Sequence, residues 1–455
     1  MRIHFIAIGG SVMHSMAIAM QNKGYQVSGS DDEIFEPSYS RLKETGLLPA
    51  YQGWNAKNIT PDIDTVIVGK HATLDNPELQ KAKALGLNLY SFPEYVYQQS
   101  INKQRIVVAG SHGKTTVTAM LMHVFKSLNK DFDYVIGAKV AGFEHSVKLT
   151  KDAPIILIEG DEYATSALDD SPKFLHYKQH IGVITGVAWD HINIYPTYEK
   201  YLKQFRIFIE QAPRAGTLAY HSGDAELKKL IKTTEINSDV FVVPYQAHKN
   251  LIKKNQTLLI DEFGNKIPAS VFGDHNMQNL NAAFQVTSRL GIKPKDFYEA
   301  ISTFKGANMR LQLLASNTST MVFKDFAHAP SKVQATVEAV KKQYKRQMLI
   351  ACLELHTFSS LDADFIANYK NTMLKADVSI VYIDPKAATH KKLRLFSEGE
   401  IKKAFNNPNL LFFTNSETLE KHLLSLDWQD NNLLLMSSGN FGGMDLTALS
   451  QKVAT

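Results

Sequence analysis

The stretch VVAGSHGKTTVTAML, residues 107–121, decides the fold class of this chain. An apolar run ends in a glycine-containing turn, and Gly113, Lys114 and Thr115 match the last three elements of the phosphate-loop pattern G-x-x-x-x-G-K-[ST], whose first glycine is relaxed here. In such a loop the backbone N–H groups and the next helix bind phosphate oxygens, the lysine reaches the terminal phosphate, and the hydroxyl binds magnesium. We therefore predict nucleoside triphosphate binding, with Lys114 and Thr115 in the last two roles; the alternative is a ligand-free strand-to-helix turn.

The composition is that of a soluble protein with several domains. At 455 residues the chain exceeds what one hydrophobic core usually supports, so two or three domains are expected. The net charge of +5 is small for this length and the basic residues are scattered, which argues against a nucleic-acid partner. The single cysteine, Cys352, lies in the apolar run MLIACLEL, so we expect a buried residue in a reducing compartment.

No apolar stretch has the length of a membrane span, and the first residues, MRIHFIAIGG, lead directly into a strand and turn. We therefore predict a cytoplasmic protein without membrane insertion.

The first hundred residues predict a small α/β domain. A strand, a helix and a second strand are predicted, in that order, for RIHFIAIGG, SVMHSMAIAMQNKG and YQVSGSD. Asp31 lies about twenty residues after the paired glycines. This is the layout of a dinucleotide-binding fold, but Ala7 and Val12 replace two glycines of its fingerprint. A nucleotide is therefore expected here, and NAD is not required.

Two further apolar strands follow the phosphate loop, PIILIEGD and HIGVITGV, and both end in polar residues. Ligands of open α/β sheets gather at the carboxyl ends of parallel strands, so residues 159–162 and the pair Asp190-His191 should meet the loop. Glu159, Asp161 and Glu162 are either magnesium ligands or an acidic cluster at a helix start. Asp190 and His191 either cap a turn or serve a metal or phosphate.

Two later motifs also end at polar residues. GDHNMQN places His275, Asn276 and Asn279 before a helix, where the amides either cap that helix or bind a base and ribose. DFAHAP places Asp325 and His328 at a strand end, as turn residues or as a nucleotide clamp. From Leu311 onwards, alternating strands and helices predict another doubly wound sheet.

Six motifs in this order resemble the Mur ligase family, the ATP-dependent amide-forming enzymes of peptidoglycan assembly. The matching segments are GSHGKTT, EGDEY, WDH, GDHNMQN, FKGANMR and DFAHAP. The resemblance implies an α/β fold of three domains: a Rossmann-like N-terminal domain (1–100), a central P-loop ATPase-like domain (101–310) and a C-terminal Rossmann-like domain (311–455). IAIGGSVMHSMA and GSD resemble the branch that takes UDP-N-acetylmuramic acid.

The resemblance also implies roles for individual residues. ATP would contact the following set: Gly110, Ser111, His112, Gly113, Lys114, Thr115, Thr116, His275, Asn276, Asn279, Arg310, Asp325 and His328. The UDP-sugar would contact Gly9, Gly10, Ser11 and Asp31, and Mg²⁺ would be held by Thr115, Glu159, Glu162 and His191. The catalytic group would be Lys114, His112, His191 and Arg310, with His112 steering the sugar's carboxylate. The chain departs from the usual family pattern at Gly186, Ala188, Met309 and Ala329.

The implied reaction consumes ATP and needs Mg²⁺. The lactyl carboxylate of UDP-N-acetylmuramic acid attacks the γ-phosphate, and an amine then attacks the acyl phosphate, releasing ADP and phosphate. Four segments resemble the ligases whose acceptor is L-alanyl-γ-D-glutamyl-meso-diaminopimelate, used in peptidoglycan recycling: GSDDEIFEPSYSRLKETGL, GDEYATSALDDSPKFLHY, KQF and DFAHAP. The alternative acceptor is L-alanine, used in de novo synthesis. Because the loop is expected at the surface, Lys114→Ala should abolish turnover without unfolding the protein.

Two other classes of protein stay open at this point. The departures from the family pattern also fit a catalytically silent nucleotide-binding protein, and the N-terminal sheet alone fits an NAD-dependent dehydrogenase. ADP release that requires both the sugar and an acceptor would distinguish an active ligase from the silent nucleotide-binding protein. A nicotinamide absorbance assay tests for the dehydrogenase. The sequence leaves the oligomeric state open.

Overall fold

The computed structural model describes residues 1–166, 169–189 and 194–455. These residues form two compact units. Unit 1 comprises the described residues up to 246 together with 282–300, and unit 2 comprises 247–281 and 301–455.

Unit 1 begins with a parallel sheet of four strands in the order β2-β1-β3-β4. Its elements are β1 (Arg2–Ile6), α1 (Met13–Asn22), β2 (Gln26–Ser30), α2 (Ser38–Glu44), β3 (Thr65–Val68), α3 (Pro77–Ala84), β4 (Asn88–Ser91) and α4 (Phe92–Gln99). The inner strand β3 reads TVIV and is fully buried, as expected for a parallel strand covered on both faces. Helix α4 starts with a capping box between Ser91 and Glu94, which satisfies two backbone N–H groups at its first turn.

The second sheet of unit 1 carries the phosphate loop. Its seven strands have the order β11-β10-β9-β5-β8-β6-β7, and all are parallel to their neighbours except β7. The elements are β5 (Gln104–Ala109), α5 (Lys114–Ser127), β6 (Asp133–Val135), β7 (Val147–Lys148), β8 (Ile155–Glu159), β9 (Ile181–Ile184), α6 (Tyr198–Glu210), β10 (Thr217–His221), α7 (Ala225–Thr233) and β11 (Phe241–Tyr245). The central strand β5 pairs with β8 on one side and β9 on the other, so their carboxyl ends lie at one edge of the sheet.

Unit 2 contains a small antiparallel sheet and a larger mixed one. The small sheet is β12 (Asn250–Lys253), β13 (Gln256–Ile260) and β14 (Lys266–Ala269). Two helices follow, α8 (Asp274–Arg289) and α9 (Pro294–Ser302), whose residues 282–300 belong to unit 1.

The larger sheet of unit 2 has the order β15-β16-β20-β17-β18-β19, with only β15 antiparallel to its neighbour. Its elements are β15 (Gln312–Ser316), β16 (Met321–Asp325), α10 (Pro330–Gln343), β17 (Met348–Glu354), β18 (Val378–Tyr382), α11 (Pro385–His390), α12 (Glu398–Ala404), β19 (Leu411–Phe413), α13 (Ser416–Ser425), β20 (Asn431–Met436) and α14 (Leu446–Val453). Apolar residues cover both faces, and Cys352 on β17 is fully buried as predicted.

The predicted α/β class with parallel sheets is confirmed, and one local prediction is wrong. Helix α8 starts at Asp274, directly after Gly273, so His275, Asn276 and Asn279 lie within its first two turns and not before it. The division into three domains, with two boundaries at 100 and 310, stays a prediction. No helix in the described ranges combines the length and the apolar character that crossing a membrane requires.

Candidate active site

The loop between β5 and α5 is braced by the end of strand β9. The N–H of Thr185 donates to the carbonyl of Ala109 at 3.0 Å, and the N–H of Ser111 donates to the carbonyl of Gly186 at 2.9 Å. The Thr185 hydroxyl also donates to the carbonyl of His112. Gly110 has φ of 128°, and a Cβ there would lie 2.2 Å from the Thr185 hydroxyl oxygen, so only glycine fits. These contacts fix the backbone that presents N–H groups at the start of α5.

The carboxylates that follow β8 meet the loop, as the sheet topology predicts. The ammonium of Lys114 lies 2.6 Å from Oε2 of Glu162 and donates to the carbonyl of Gly110, also at 2.6 Å. The hydroxyl of Thr115 donates to Oε1 of Glu159 at 2.5 Å, and the N–H of Gly137 donates to Oε2 of Glu159 at 2.8 Å. The lysine and hydroxyl of the predicted phosphate loop are therefore each paired with a glutamate.

This arrangement is buried, which shifts its pKa values. Burial alone would lower the pKa of Lys114, but the carboxylates of Glu162, Asp161 and Glu159 outweigh it and raise that pKa above its usual value. Burial raises the pKa of Glu159, against the opposing effect of the Thr115 hydroxyl, the Gly137 N–H and Lys114. The ammonium is therefore charged at neutral pH and stays a fixed positive charge at this edge of the sheet.

Oxygen donors suited to Mg²⁺ are present beside the loop. The hydroxyl of Thr115 and the carboxylates of Glu159 and Glu162 are hard oxygen ligands of the kind that this cation prefers. Asp190 and His191, predicted beside them, lie outside the described residues. In the part of the chain that is described, no three His, Cys, Asp or Glu side chains form a preassembled metal cluster.

The nucleotide residues predicted in unit 2 are grouped around Asp325. Its Oδ2 accepts the N–H of Leu311 at 2.6 Å and its Oδ1 accepts the N–H of Ala327 at 2.7 Å, so the carboxylate joins the segment after Arg310 to the turn before α10. Burial lowers the pKa of His275, while Asp325 and Asp274 act in the opposite direction.

The remaining predicted residues of unit 2 lie on the same elements. The guanidinium of Arg310 lies 4.8 Å from the centre of the Phe326 ring. Asn276 donates to the carbonyl of Phe272 at 2.9 Å, Asn279 is buried, and the ring of His328 contacts the carbonyl of Phe326 at 2.8 Å. The side-chain amide of Asn276 therefore already has a hydrogen-bond partner within the protein.

The predicted sugar-nucleotide residues lie at the first turn of unit 1. Oδ2 of Asp31 accepts the N–H of Gly9 at 2.7 Å, and a Cβ on Gly9 would lie 2.9 Å from that oxygen. Burial, with a contribution from Asp32, raises the pKa of Asp31 to about 6. The carbonyl of Gly10 contacts the buried ring of His14 at 2.9 Å, and Ser11 is exposed. Asp31 therefore braces the glycine turn.

Several supporting residues could not be found from the sequence. The hydroxyl of Thr185 donates to the loop, and the N–H of Gly137 donates to Glu159. The hydroxyl of Tyr195 donates to the carbonyl of Glu162 at 2.6 Å. Lys173 pairs with Asp161 at 3.1 Å. None of these belongs to a recognisable motif. Thr185 lies in the predicted strand HIGVITGV, and its polar side chain within that apolar run was a usable signal.

Known proteins resemble this chain over most of its length. Residues 2–103 match the family described as the Mur ligase family catalytic domain, and residues 108–287 match the Mur ligase middle domain. A UDP-N-acetylmuramate–L-alanine ligase from Clostridium kluyveri is 30% identical over 388 residues, which cover 81% of each chain. The chain belongs to the Mur ligase family. This Mur ligase is accordingly an ATP-dependent, ADP-forming amide ligase of peptidoglycan metabolism.

Relatives with two different acceptors resemble this Mur ligase equally well. The Escherichia coli UDP-N-acetylmuramate–L-alanyl-γ-D-glutamyl-meso-2,6-diaminoheptanedioate ligase is 29% identical over 362 residues, covering 78% of this chain and 79% of that protein. The crystal structure of the UDP-N-acetylmuramate–alanine ligase from Thermotoga maritima superposes with a TM-score of 0.71 at 21% identity, covering 100% of this chain and 98% of the other. That structural likeness concerns the fold.

Proposed function

We propose that this Mur ligase joins the lactyl carboxylate of UDP-N-acetylmuramic acid to the amino group of L-alanyl-γ-D-glutamyl-meso-diaminopimelate. The phosphoryl-transfer step is supported by the paired arrangement of Lys114 with Glu162 and Thr115 with Glu159 at the end of a phosphate loop. The tripeptide acceptor is supported by the resemblance of the segment GDEYATSALDDSPKFLHY to the recycling ligases. A carboxylate and a triphosphate repel each other, so their reaction needs positive charge placed in advance between them. The buried ammonium of Lys114 supplies that charge.

The residues around the loop divide the work. The backbone N–H groups of residues 110–116 bind the phosphates, and His112 steers the carboxylate of the sugar acid. Thr115, Glu159 and Glu162 hold Mg²⁺, with His191 as a further ligand; the bound cation would neutralise charge on the phosphate oxygens. Because Lys114 is paired with Glu162, arrival of the triphosphate exchanges one anionic partner of the ammonium for another.

The other predicted residues serve the two nucleotides. Asp325, Arg310 and His275 position ATP, together with Asn276, Asn279 and His328. Gly9, Gly10, Ser11 and Asp31 form the turn that receives the uridine diphosphate. We place the acceptor in the C-terminal part of unit 2.

A second acceptor, L-alanine, is favoured by a specific observation. The relative from Clostridium kluyveri, at 30% identity, carries the name of an L-alanine ligase. Such an enzyme would belong to de novo synthesis, whereas the tripeptide ligase belongs to recycling.

A competition experiment separates the two acceptors. Purified protein is supplied with ATP, Mg²⁺, UDP-N-acetylmuramic acid and equal concentrations of L-alanine and the tripeptide, and the products are separated by mass. The proposal predicts mainly the tripeptide adduct. Mainly the L-alanine adduct would reverse the assignment of the acceptor while keeping the reaction. Nucleotide binding with neither adduct would support the silent alternative.

A further inference from the structure

A buried glutamate and a partly exposed histidine lie side by side at the carboxyl edge of the larger sheet of unit 2. Glu354 is the last residue of β17 and its side chain is 1% exposed, whereas the side chain of His356, two residues later, is 33% exposed. Nδ1 of His356 lies 3.7 Å from Oε1 of Glu354. The carboxylate thus lies inside the protein, with the imidazole between it and the solvent.

The two oxygens of Glu354 have different surroundings. Oε2 accepts the hydroxyl of Ser437 and, at 2.9 Å, the N–H of Phe441. Among the described residues, neither Oε1 of Glu354 nor Nδ1 of His356 has a hydrogen-bond partner, although both atoms are buried. These two buried atoms, 3.7 Å apart, therefore have hydrogen-bonding capacity that the described residues do not use.

The backbone around the pair is packed closely against it. A Cβ on Gly439 would lie 2.8 Å from Oε2 of Glu354 and 2.8 Å from the ring of His356, so glycine is needed there. The N–H of Gly439 donates to the hydroxyl of Ser437 at 2.6 Å, and the N–H of Ser437 donates to the carbonyl of Asp325 at 3.0 Å. The pair thus lies close to Asp325 along the same edge of the sheet, with β20 between β16 and β17.

The strands beside the pair carry further titratable side chains. Burial raises the pKa of Tyr382, at the end of β18, to about 12, with Asp384 and Glu354 adding to the shift. Burial likewise raises the pKa of the Cys352 thiol above its usual range. Both of these side chains are therefore uncharged at neutral pH. The ammonium of Lys391 lies 5.8 Å from the centre of the Phe358 ring.

We propose that His356, which lies beside Glu354, accepts the proton that the amino group of the acceptor must lose before it can react. This assignment rests on the function proposed above. An α-amino group is protonated at neutral pH and has no free electron pair, so a nearby base is required. The ammonium passes one proton to the neutral imidazole, leaving a neutral amine and an imidazolium beside the carboxylate of Glu354. The electron pair of the amine forms the C–N bond, and the bond from the acyl carbon to the phosphate oxygen breaks, so that phosphate leaves with the electrons of the broken bond. The nitrogen then loses its second proton to the departing phosphate, which gives the amide.

The test compares two nucleophiles in the full-length enzyme. Hydroxylamine is largely unprotonated at neutral pH and converts an acyl phosphate to a hydroxamate without needing a base. In His356→Gln at pH 7 we expect amide formation with the tripeptide and with L-alanine to fall by about 100-fold or more. Hydroxamate formation from UDP-N-acetylmuramic acid, ATP and hydroxylamine should stay within about twofold of wild type. Hydroxylamine is already unprotonated, so it does not need a base to remove a proton before it reacts.

Further variants separate chemistry from folding. His422→Gln, on α13 of the same unit, should leave both reactions unchanged, and thermal unfolding should show that all variants are folded. Raising the pH should restore part of the amide formation in His356→Gln, since the acceptor then loses its proton to water. Glu354→Gln should give a smaller loss of the same kind, with an altered acidic limb in the pH profile of kcat/KM.

Three outcomes would overturn the assignment. The first is amide formation at the wild-type rate in His356→Gln at pH 7, and the second is an equal loss of amide and hydroxamate in that variant. The third, absence of hydroxamate with the wild-type enzyme, would overturn the proposed function and this assignment together.

Discussion

The ammonium of Lys114 lies 2.6 Å from Oε2 of Glu162, and the side chains are 11% and 2% exposed. The sequence predicted a lysine on a surface loop, whose removal would leave the fold intact. The structure places it in a buried ion pair, so removal leaves a carboxylate without its counter-charge inside the protein. Removing the Lys114 side chain is therefore expected to lower the stability of the protein as well as its turnover.

We expect Lys114→Ala to lower turnover by about 100-fold or more, because a charge placed in advance at the γ-phosphate is lost. It should also lower the free energy of unfolding by about 3 kcal/mol. The double variant Lys114→Ala with Glu162→Gln should recover most of the stability and none of the turnover. Denaturant unfolding measures the stability, and an ADP-release assay measures the turnover. Full activity in either variant would contradict the role given to the lysine.

Gly110→Ala should abolish ATP binding, because its Cβ would lie 2.2 Å from the hydroxyl oxygen of Thr185 and its φ is 128°. Gly86→Ala is the matched control, since Gly86 also has a positive φ, 67°, but nothing lies within 4 Å of the position that a Cβ would take there. That control should lose about 1 kcal/mol of stability and keep its affinity for ATP. Calorimetric titration with ATP and Mg²⁺ distinguishes the two, and equal affinities would show that the loop does not hold the phosphates.

Thr115→Val should raise the Mg²⁺ concentration needed for half-maximal activity by about tenfold or more, since a hydroxyl ligand is removed. Thr115→Ser keeps the hydroxyl and should behave like the wild type. Mg²⁺ titrations of ADP release at saturating ATP provide the measurement. If the valine and serine variants need the same Mg²⁺ concentration, Thr115 is not a metal ligand.

Asp31 should make the stability of the protein depend on pH. Its pKa is raised to about 6 in the folded protein, so the unfolded chain loses this proton at lower pH than the folded one. The contribution is therefore complete below about pH 4 and is lost as the pH rises to about 6, by about 3 kcal/mol in total. The difference in the free energy of unfolding between wild type and Asp31→Asn should change by this amount from pH 4 to pH 8. A difference that does not vary with pH would exclude a raised pKa.

Much of the fold was predictable from local patterns. The strands on either side of the phosphate loop are apolar runs that end in polar residues, and β5, β8 and β9 lie within the predicted strands QRIVVAG, PIILIEGD and HIGVITGV. The meeting of Glu159 and Glu162 with the loop followed from the rule that parallel strands carry ligands at their carboxyl ends.

The parts that were not predicted depend on long-range packing. The antiparallel sheet β12–β14 and the edge strands β7 and β15 have short, partly exposed sequences without clear alternation. The start of α8 was misplaced, because His275, Asn276 and Asn279 have side chains that suit a cap as well as a first turn. The partners of the buried groups are distant in sequence: Lys114 pairs with Glu162, whose carbonyl accepts the hydroxyl of Tyr195, and Glu354 accepts the hydroxyl of Ser437.

The central claim is that the carboxylate of the sugar acid attacks the γ-phosphate of ATP at the loop ending in Lys114. The most direct measurement uses UDP-N-acetylmuramic acid with ¹⁸O in both oxygens of its lactyl carboxylate. The account predicts that each phosphate released during amide formation carries one ¹⁸O, because the acyl carbon loses the oxygen that attacked phosphorus. Phosphate free of ¹⁸O, released alongside the amide product, would contradict it.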